Sequence, residues 1–94
     1  MKTKSITVNQ KGCQISSVIK VKDEQYLKFD INVFMEVSEV SDDFLITLAK
    51  TYQETNSCEI IEISFKIWEV YDWNLKFNEK DTTFVVVNNK FIRK

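Results

Sequence analysis

The carboxylates are the side chains with most potential for chemistry, because the sequence contains no histidine. Without histidine the commonest general base near neutral pH is missing, and Ser/His and Cys/His nucleophilic pairs are excluded. Carboxylates lie close together at Asp42-Asp43, at Glu59 with Glu62, and at Glu69 with Asp72. Such groups bind hard cations or transfer protons, but none of these has the spacing of a known metal-binding loop. We therefore expect surface and helix-capping positions, no metal or cofactor, and a protein that is not an enzyme.

Cys13 and Cys58 are the strongest candidate nucleophiles, and they lack any CxxC or Cys/His spacing. Nothing in the flanking sequence indicates a lowered thiol pKa. We expect two buried, reduced thiols, as is usual in the cytosol, with a disulfide between them as the open alternative.

Two aromatic side chains stand out because they occur on otherwise polar strand faces. In the predicted strands, Phe34 lies on the same face as Lys28, Asp30 and Glu36. Trp68 lies on the same face as Glu62, Ser64 and Lys66. One explanation is that this face is partly covered by the C-terminal strand and tail, or that the two rings form a cross-strand pair. The other is that the rings bind a partner.

The second explanation defines a candidate docking patch with an aromatic centre and an acidic rim. Its residues are Phe34, Trp68, Tyr71 and Trp73 with Glu62, Glu69 and Asp72. Trp and Tyr are typical anchors of protein interfaces, and the acids would favour a basic partner surface.

The positions of these residues depend on extended segments that flank one helix. Alternating patterns predict strands over 5–10, 13–22, 27–37 and 59–67, with turns at 9–12 and 23–24. Ser41 is a good N-cap, and residues 44, 45, 48, 49 and 52 then form an apolar helical stripe that ends near 55–57. Strand 59–67 should direct Ile61, Ile63, Phe65 and Ile67 to one side. After this strand we expect a bend over 69–72 and further extended segments at 73–77 and 82–87, with a turn between them at 78–81. A last turn at Asn88-Asn89 then leads to Phe91-Ile92.

These elements predict one α+β domain over residues 1–94, with a mainly antiparallel sheet of five to six strands and one helix on one face. The expected order is β-β-β-α-β-β, with a further β at the end if the tail pairs. The same order leaves a small OB-like barrel open as an alternative architecture. Such a barrel would favour single-stranded nucleic-acid binding. The bases would stack on Tyr26, Phe29 and Phe34, and the phosphate backbone of the nucleic acid would follow Lys20, Lys22 and Lys28.

Charge and hydropathy favour a protein partner over nucleic acid or membrane. The net charge is −1, and the acidic segment 41–75 and the basic segment 76–94 give a mixed field that suits nucleic acid poorly. The apolar run at 84–87 is far shorter than the roughly 20 residues that cross a bilayer, and the first residues do not form a signal core. We expect a cytoplasmic protein, and the Lys/Asn/Ile-rich composition suits an AT-rich bacterial or phage genome.

The valines at 85–87 place apolar side chains on both faces of one strand. This is typical of a strand that is covered on both sides or paired across a subunit boundary, so we expect a homodimer through a sheet edge or face. Taken together, the sequence predicts a small protein-interaction module of the inhibitor, immunity-factor or adaptor kind, which acts by occupying a partner's surface.

Overall fold

The fold of the chain was taken from a computed structural model, which describes residues 11–22, 26–71 and 75–94. The described elements are β1 (Lys11–Val21), β2 (Tyr26–Val33), a 3-10 turn (Val37–Glu39), α1 (Asp42–Asn56), β3 (Ile60–Tyr71), β4 (Leu75–Val87) and β5 (Lys90–Arg93). One helix and a five-stranded sheet confirm the predicted α+β class.

All neighbouring strands of the sheet are antiparallel, in the order β2-β1-β3-β4-β5. The sheet is open, with β2 and β5 at its two edges, so the OB-like barrel alternative is wrong. A barrel needs strands that bend and close on one another, whereas β3 and β4 here form one long, nearly regular ladder.

The predicted N-terminal hairpin is also wrong for the part that can be compared. Lys11 and Gly12 belong to β1 and not to a turn, and β1 already has β2 on one side and β3 on the other. The predicted strand over 5–10 and the turn at 23–24 lie outside the described residues.

β2 ends at Val33, four residues earlier than the alternation predicts. The chain bends there and forms the 3-10 turn, in which the Glu36 N–H donates to Glu39 Oε1 at 2.8 Å. Met35 and Val37 nevertheless pack against the core while Phe34 and Glu36 remain exposed. Buried and exposed side chains therefore continue to alternate after β2 has ended, which explains why the sequence predicts a longer strand.

α1 begins and ends where the sequence predicts. Ser41 is the N-cap, and its Oγ accepts a hydrogen bond from the Phe44 N–H at 3.1 Å. Ser57 ends the helix in the left-handed conformation, with φ of 51°. The helix crosses the sheet from edge to edge, because Asp42 at its start pairs with Arg93 of β5 at 3.4 Å. Near its end, the Tyr52 ring stacks on Phe29 of β2 at a centroid distance of 4.9 Å.

The second half of the chain is more continuous than its turn signals suggest. The expected bend over 69–72 is wrong for residues 69–71, which extend β3, and the expected turn at 78–81 is wrong because β4 runs unbroken through it. The pairing changes register at this point, from Ile67 opposite Lys80 to Trp68 opposite Asn78. The extra residue forms a bulge. Lys80 pairs with Ile67 in the sheet, and its Nζ donates a hydrogen bond to the Val40 carbonyl, just before α1, at 3.0 Å.

A second bulge at the start of β3 changes which isoleucine enters the core. Val21 pairs with Ile60, whereas the preceding Lys20 pairs with Glu62, so Ile61 is the extra residue. Ile60 is buried and Ile61 is exposed, which corrects the predicted inward position of Ile61.

The last hairpin forms as predicted, and Asn88 and Asn89 both have positive φ, at 52° and 65°. Two positive φ values are typical of a type I′ turn, whose twist matches that of the flanking strands. Phe91 pairs with Val86 and packs on the core, so the tail completes the sheet.

The core lies between α1 and one face of the sheet. Its buried hydrophobic members are Cys13, Ile15, Ile19, Val21, Val40, Leu45, Ala49, Ile60, Ile63, Phe65, Ile67 and Phe84. Leu45 and Ala49 come from the predicted helical stripe, whose other members Phe44, Leu48 and Tyr52 pack around them half-buried.

Candidate functional site

The face of the sheet opposite α1, which we call the outer face, is the candidate functional surface. Its side chains follow from the cross-strand pairing, because directly opposed residues point to the same side. The outer face contains Gly12, Gln14, Ser16, Val18 and Lys20 of β1, Tyr26, Lys28, Asp30 and Asn32 of β2, Glu62, Ser64, Lys66, Trp68 and Val70 of β3, Asp81, Thr83, Val85 and Val87 of β4, and Lys90 and Ile92 of β5.

Several large apolar side chains of the outer face are exposed. Val18 lies in the second strand of the sheet, between Lys28 and Ser64, and is 42% exposed. Tyr26 is 66% exposed at the β2 edge, and Val87 and Ile92 are exposed on the β4–β5 hairpin. As predicted, the valines at 85–87 occupy both faces of β4: Val86 packs on the core, whereas Val85 is half-buried and Val87 exposed on the outer face. Pairing of this strand across a subunit boundary stays a prediction.

The predicted partners Phe34 and Trp68 are not opposed in the sheet. Trp68 pairs with Gln14, and Gln14 pairs on its other side with Asn32, so β1 separates the strand of Trp68 from the strand that precedes Phe34. A directly opposed cross-strand pair is therefore wrong. Phe34 lies just beyond β2 and is 70% exposed, whereas Trp68 is half-buried.

The end of the outer face around Trp68 has a small apolar centre of its own. Val70 lies two residues further along β3, on the same face, and is buried although it is not part of the main core cluster. Its partner on β1 is Gly12, which is also buried. Trp68 thus borders a packed region at one end and polar surface at the other, as an anchored interface aromatic does.

The acids of the predicted docking patch do not surround Trp68 together. Glu62 is on the outer face, six residues away along β3, and its Oε1 lies 3.6 Å from Lys94 Nζ. Glu69 pairs with Cys13 and therefore faces the helix side. Tyr71 ends β3, but its side chain lies outside the described part of the structure, as do Asp72 and Trp73.

Cys13 occupies a buried position that disfavours the reactive thiolate form. Its thiol donates to the Met35 carbonyl at 3.1 Å, and burial raises its pKa above the ordinary value. The neighbouring carboxylates of Glu69, Glu39 and Glu36 raise the pKa further. Both cysteines are free, with Cys13 buried and Cys58 half-buried.

Two of the three carboxylate pairs make structural contacts, and the third includes Asp72, which lies outside the described residues. Asp42 and Asp43 lie in the first turn of α1, where negative charge stabilises the helix dipole, and Asp42 also pairs with Arg93. Glu59 lies 3.7 Å from Lys22. Within residues 11–22, 26–71 and 75–94, no group of three or more acids or cysteines could hold a metal ion.

The three rings suggested for nucleic-acid stacking are not brought together. Tyr26 points to the outer face, whereas Phe29 points to the helix side and stacks on Tyr52. Phe34 lies beyond the strand end.

A shallow groove between α1 and the β2 edge was not anticipated from the sequence. It is lined by Phe29, Ile31, Leu48, Thr51, Tyr52, Thr55 and Asn56, none of which is charged. Its apolar members belong to patterns visible in the sequence, but the groove exists because β2 is an edge strand, which no local pattern shows.

Comparison with protein-family models, with curated proteins and with solved structures gives no match. Within the described ranges, α1 is the only α-helix, and it is neither long nor apolar enough to span a membrane.

Proposed function

We propose that this chain is a non-enzymatic protein-interaction module that binds another protein through the outer face of its sheet. The observation that supports this most is that α1 covers one face, while the other face leaves Val18, Tyr26 and Ile92 exposed. Exposed apolar groups on a sheet face gain free energy when a partner removes them from water.

Trp68 is proposed as the anchor of this surface. A half-buried indole beside the buried Val70 is already held in place, so binding would order it at little further entropic cost. Interface tryptophans of this kind typically cost about 2 kcal/mol or more of binding free energy when truncated. Lys66, two residues away on the same face of β3, provides a polar group beside it.

The charge of the partner is less defined than the sequence suggested. Of the acids of the predicted docking patch, Glu62 is on the outer face and Glu69 faces the helix side. Lys28, Lys66 and Asp30 add both signs to the same surface. A partner with basic groups opposite Glu62 is therefore proposed only for that end of the surface.

Within this class we favour a cytoplasmic inhibitor, immunity factor or adaptor of bacterial or phage origin. Such proteins act by covering a surface, and a rigid sheet face with few charged pairs suits that role. Single-stranded nucleic-acid binding is not favoured, because Tyr26 and Phe29 point to opposite faces.

The experiment is affinity capture from the source cell, followed by calorimetry with the purified partner. Trp68→Ala and Val18→Lys are expected to weaken binding at least tenfold with a change in melting temperature of a few degrees at most. Thr47→Lys is the matched control for Val18→Lys, because Thr47 is exposed on α1 and receives the same new charge. Equal binding of the wild type and both outer-face variants would contradict the proposal, and so would an equal loss with Thr47→Lys.

A further inference from the structure

The β2 edge is a second surface with the properties of an interface. β2 is the terminal strand of the sheet, so one side of its backbone has no strand neighbour in the described part of the chain. A free edge exposes N–H and C=O groups that can pair with another strand. Eight residues give this edge twice the length of the four-residue β5 edge.

The sequence of β2 is self-complementary about Phe29. We propose that two copies of the chain associate through antiparallel pairing of their β2 strands, with Phe29 opposite Phe29 on a two-fold axis. In this register Lys28 lies opposite Asp30 of the second copy, and Asp30 lies opposite its Lys28. Leu27 then lies opposite Ile31, and Tyr26 opposite Asn32. Opposite charges and apolar pairs directly across a ladder stabilise antiparallel pairing.

Other registers of the same pairing are less favourable. A centre at Lys28 or at Asp30 sets a like-charged pair on the axis, and a one-residue shift sets Phe29 opposite a charged side chain. The charges are not used inside the sheet either, because Lys28 has Val18 as its β1 neighbour and Asp30 has Ser16. Within the described residues, neither makes a salt bridge.

The groove on the helix side supports the same arrangement. Leu27, Phe29 and Ile31 are only half-buried, because no other strand among the described residues lies beyond β2. The two-fold axis would bring the groove of one copy against that of the other, so that Tyr52 and Leu48 of both copies cover these side chains. Because the groove lining is uncharged, this approach brings no like charges together. The association would therefore bury apolar surface on the helix side and form two ion-pair contacts on the outer face.

The β5 edge lacks this complementarity. Lys90 lies on the outer face and Arg93 on the helix side, so a two-fold pairing of β5 must be centred on Phe91 or on Ile92 and opposes only three residues of each copy. These registers set Lys90 opposite Ile92 or Arg93 opposite Phe91, and neither forms an ion pair. The second copy is therefore expected at β2, which leaves the outer face open to a different protein.

Charge exchange at the two exposed positions tests the pairing directly. Sedimentation equilibrium and light scattering of the wild type should give the mass of two chains at micromolar concentration. Lys28→Asp sets acid against acid at two places, and Asp30→Lys sets base against base at two places. Each is expected to raise the dimer dissociation constant about 30-fold, which corresponds to about 2 kcal/mol, because two attractive pairs are lost and two repulsive pairs are gained at about 0.5 kcal/mol each.

Two further samples separate register-specific pairing from general charge effects. An equimolar mixture of Lys28→Asp and Asp30→Lys chains should recover dimers, because each acid then meets a base, and the double variant should dimerise like the wild type. Lys90→Asp is the matched control at the other edge and should leave the dimer unchanged. A one-chain mass for the wild type, a dimer that survives both single changes, or failure of the mixture to recover dimers would overturn the β2 pairing.

Discussion

Thr82 provides a sharp test of how the core face is built, because its hydroxyl is buried without a hydrogen-bond partner among the described residues. Thr82 of β4 and Ser17 of β1 flank Phe65 on the core face, and they are 4% and 2% exposed. A buried hydroxyl that loses water without gaining a partner costs about 1–3 kcal/mol. Thr82→Val keeps the branched shape and removes that polar group.

The expected gain in the free energy of unfolding is about 1 kcal/mol, at the low end of that penalty. Valine and threonine both favour strands, so backbone propensity contributes little. For a chain of this size, about 1 kcal/mol corresponds to a rise in melting temperature of about 4–8 °C. Ser17→Ala should give a smaller gain, because alanine is a poorer strand former.

Urea and thermal denaturation followed by circular dichroism measure this change, and Thr83→Val is the matched control. Thr83 is the next residue, points to the outer face, and shares a hydrogen bond of 3.0 Å with the Ser64 hydroxyl. Its replacement should lower the free energy of unfolding by about 0.5–1.5 kcal/mol. A lower melting temperature for Thr82→Val, or the same change at both positions, would refute this account of the core face.

Three further changes test the helix and the buried thiol. Leu45→Ala should lower the free energy of unfolding by about 2–5 kcal/mol in urea denaturation, because Leu45 is the larger of the two buried side chains of α1; a loss below about 1 kcal/mol would contradict that packing. Ser41→Ala removes the acceptor for the Phe44 N–H and should cost about 1 kcal/mol, whereas Ser41→Asp should not. The pKa of the Cys13 thiol is raised in the folded state, so with rising pH the thiol loses its proton in the unfolded chain before it does so in the folded chain. The free energy of unfolding should therefore fall as pH rises above about 9, the ordinary pKa of the thiol. At pH 8 a thiol reagent should modify Cys58 before Cys13, and the opposite order would contradict the assigned burial.

The helix and the inner face of the sheet follow from local patterns. The Ser41 cap, the stripe through Leu45 and Ala49, and the alternation of β2 each have a local physical cause that acts within a few residues. The turn at Asn88-Asn89 is local in the same sense, because asparagine tolerates positive φ.

The errors arise where tertiary pairing overrides local preference. Residues 78–81 resemble a turn, yet long pairing with β3 holds them in β4, and a bulge absorbs the extra residue. The same kind of bulge exchanges Ile60 and Ile61 at the start of β3. Bulges depend on which strands become neighbours, and neighbours cannot be derived from alternation alone.

The candidate site was only partly predictable for the same reason. Alternation correctly puts Trp68 and Glu62 on one face of β3, but it also puts Glu69 on the opposite face, which separates an acidic rim that looked continuous in the sequence. The distance between Phe34 and Trp68 depends on β1 lying between their strands. The groove beside β2 likewise depends on strand order.

Hydroxyl-radical footprinting of the chain, free and bound to its captured partner, tests the proposed binding surface most directly, because it reports side-chain exposure on each face of the sheet. Binding at the outer face predicts protection of Trp68 and Tyr26, while Phe44 on the helix side keeps the same reactivity. Protection of Phe44 with unchanged Trp68 and Tyr26 would contradict the outer face as the binding surface.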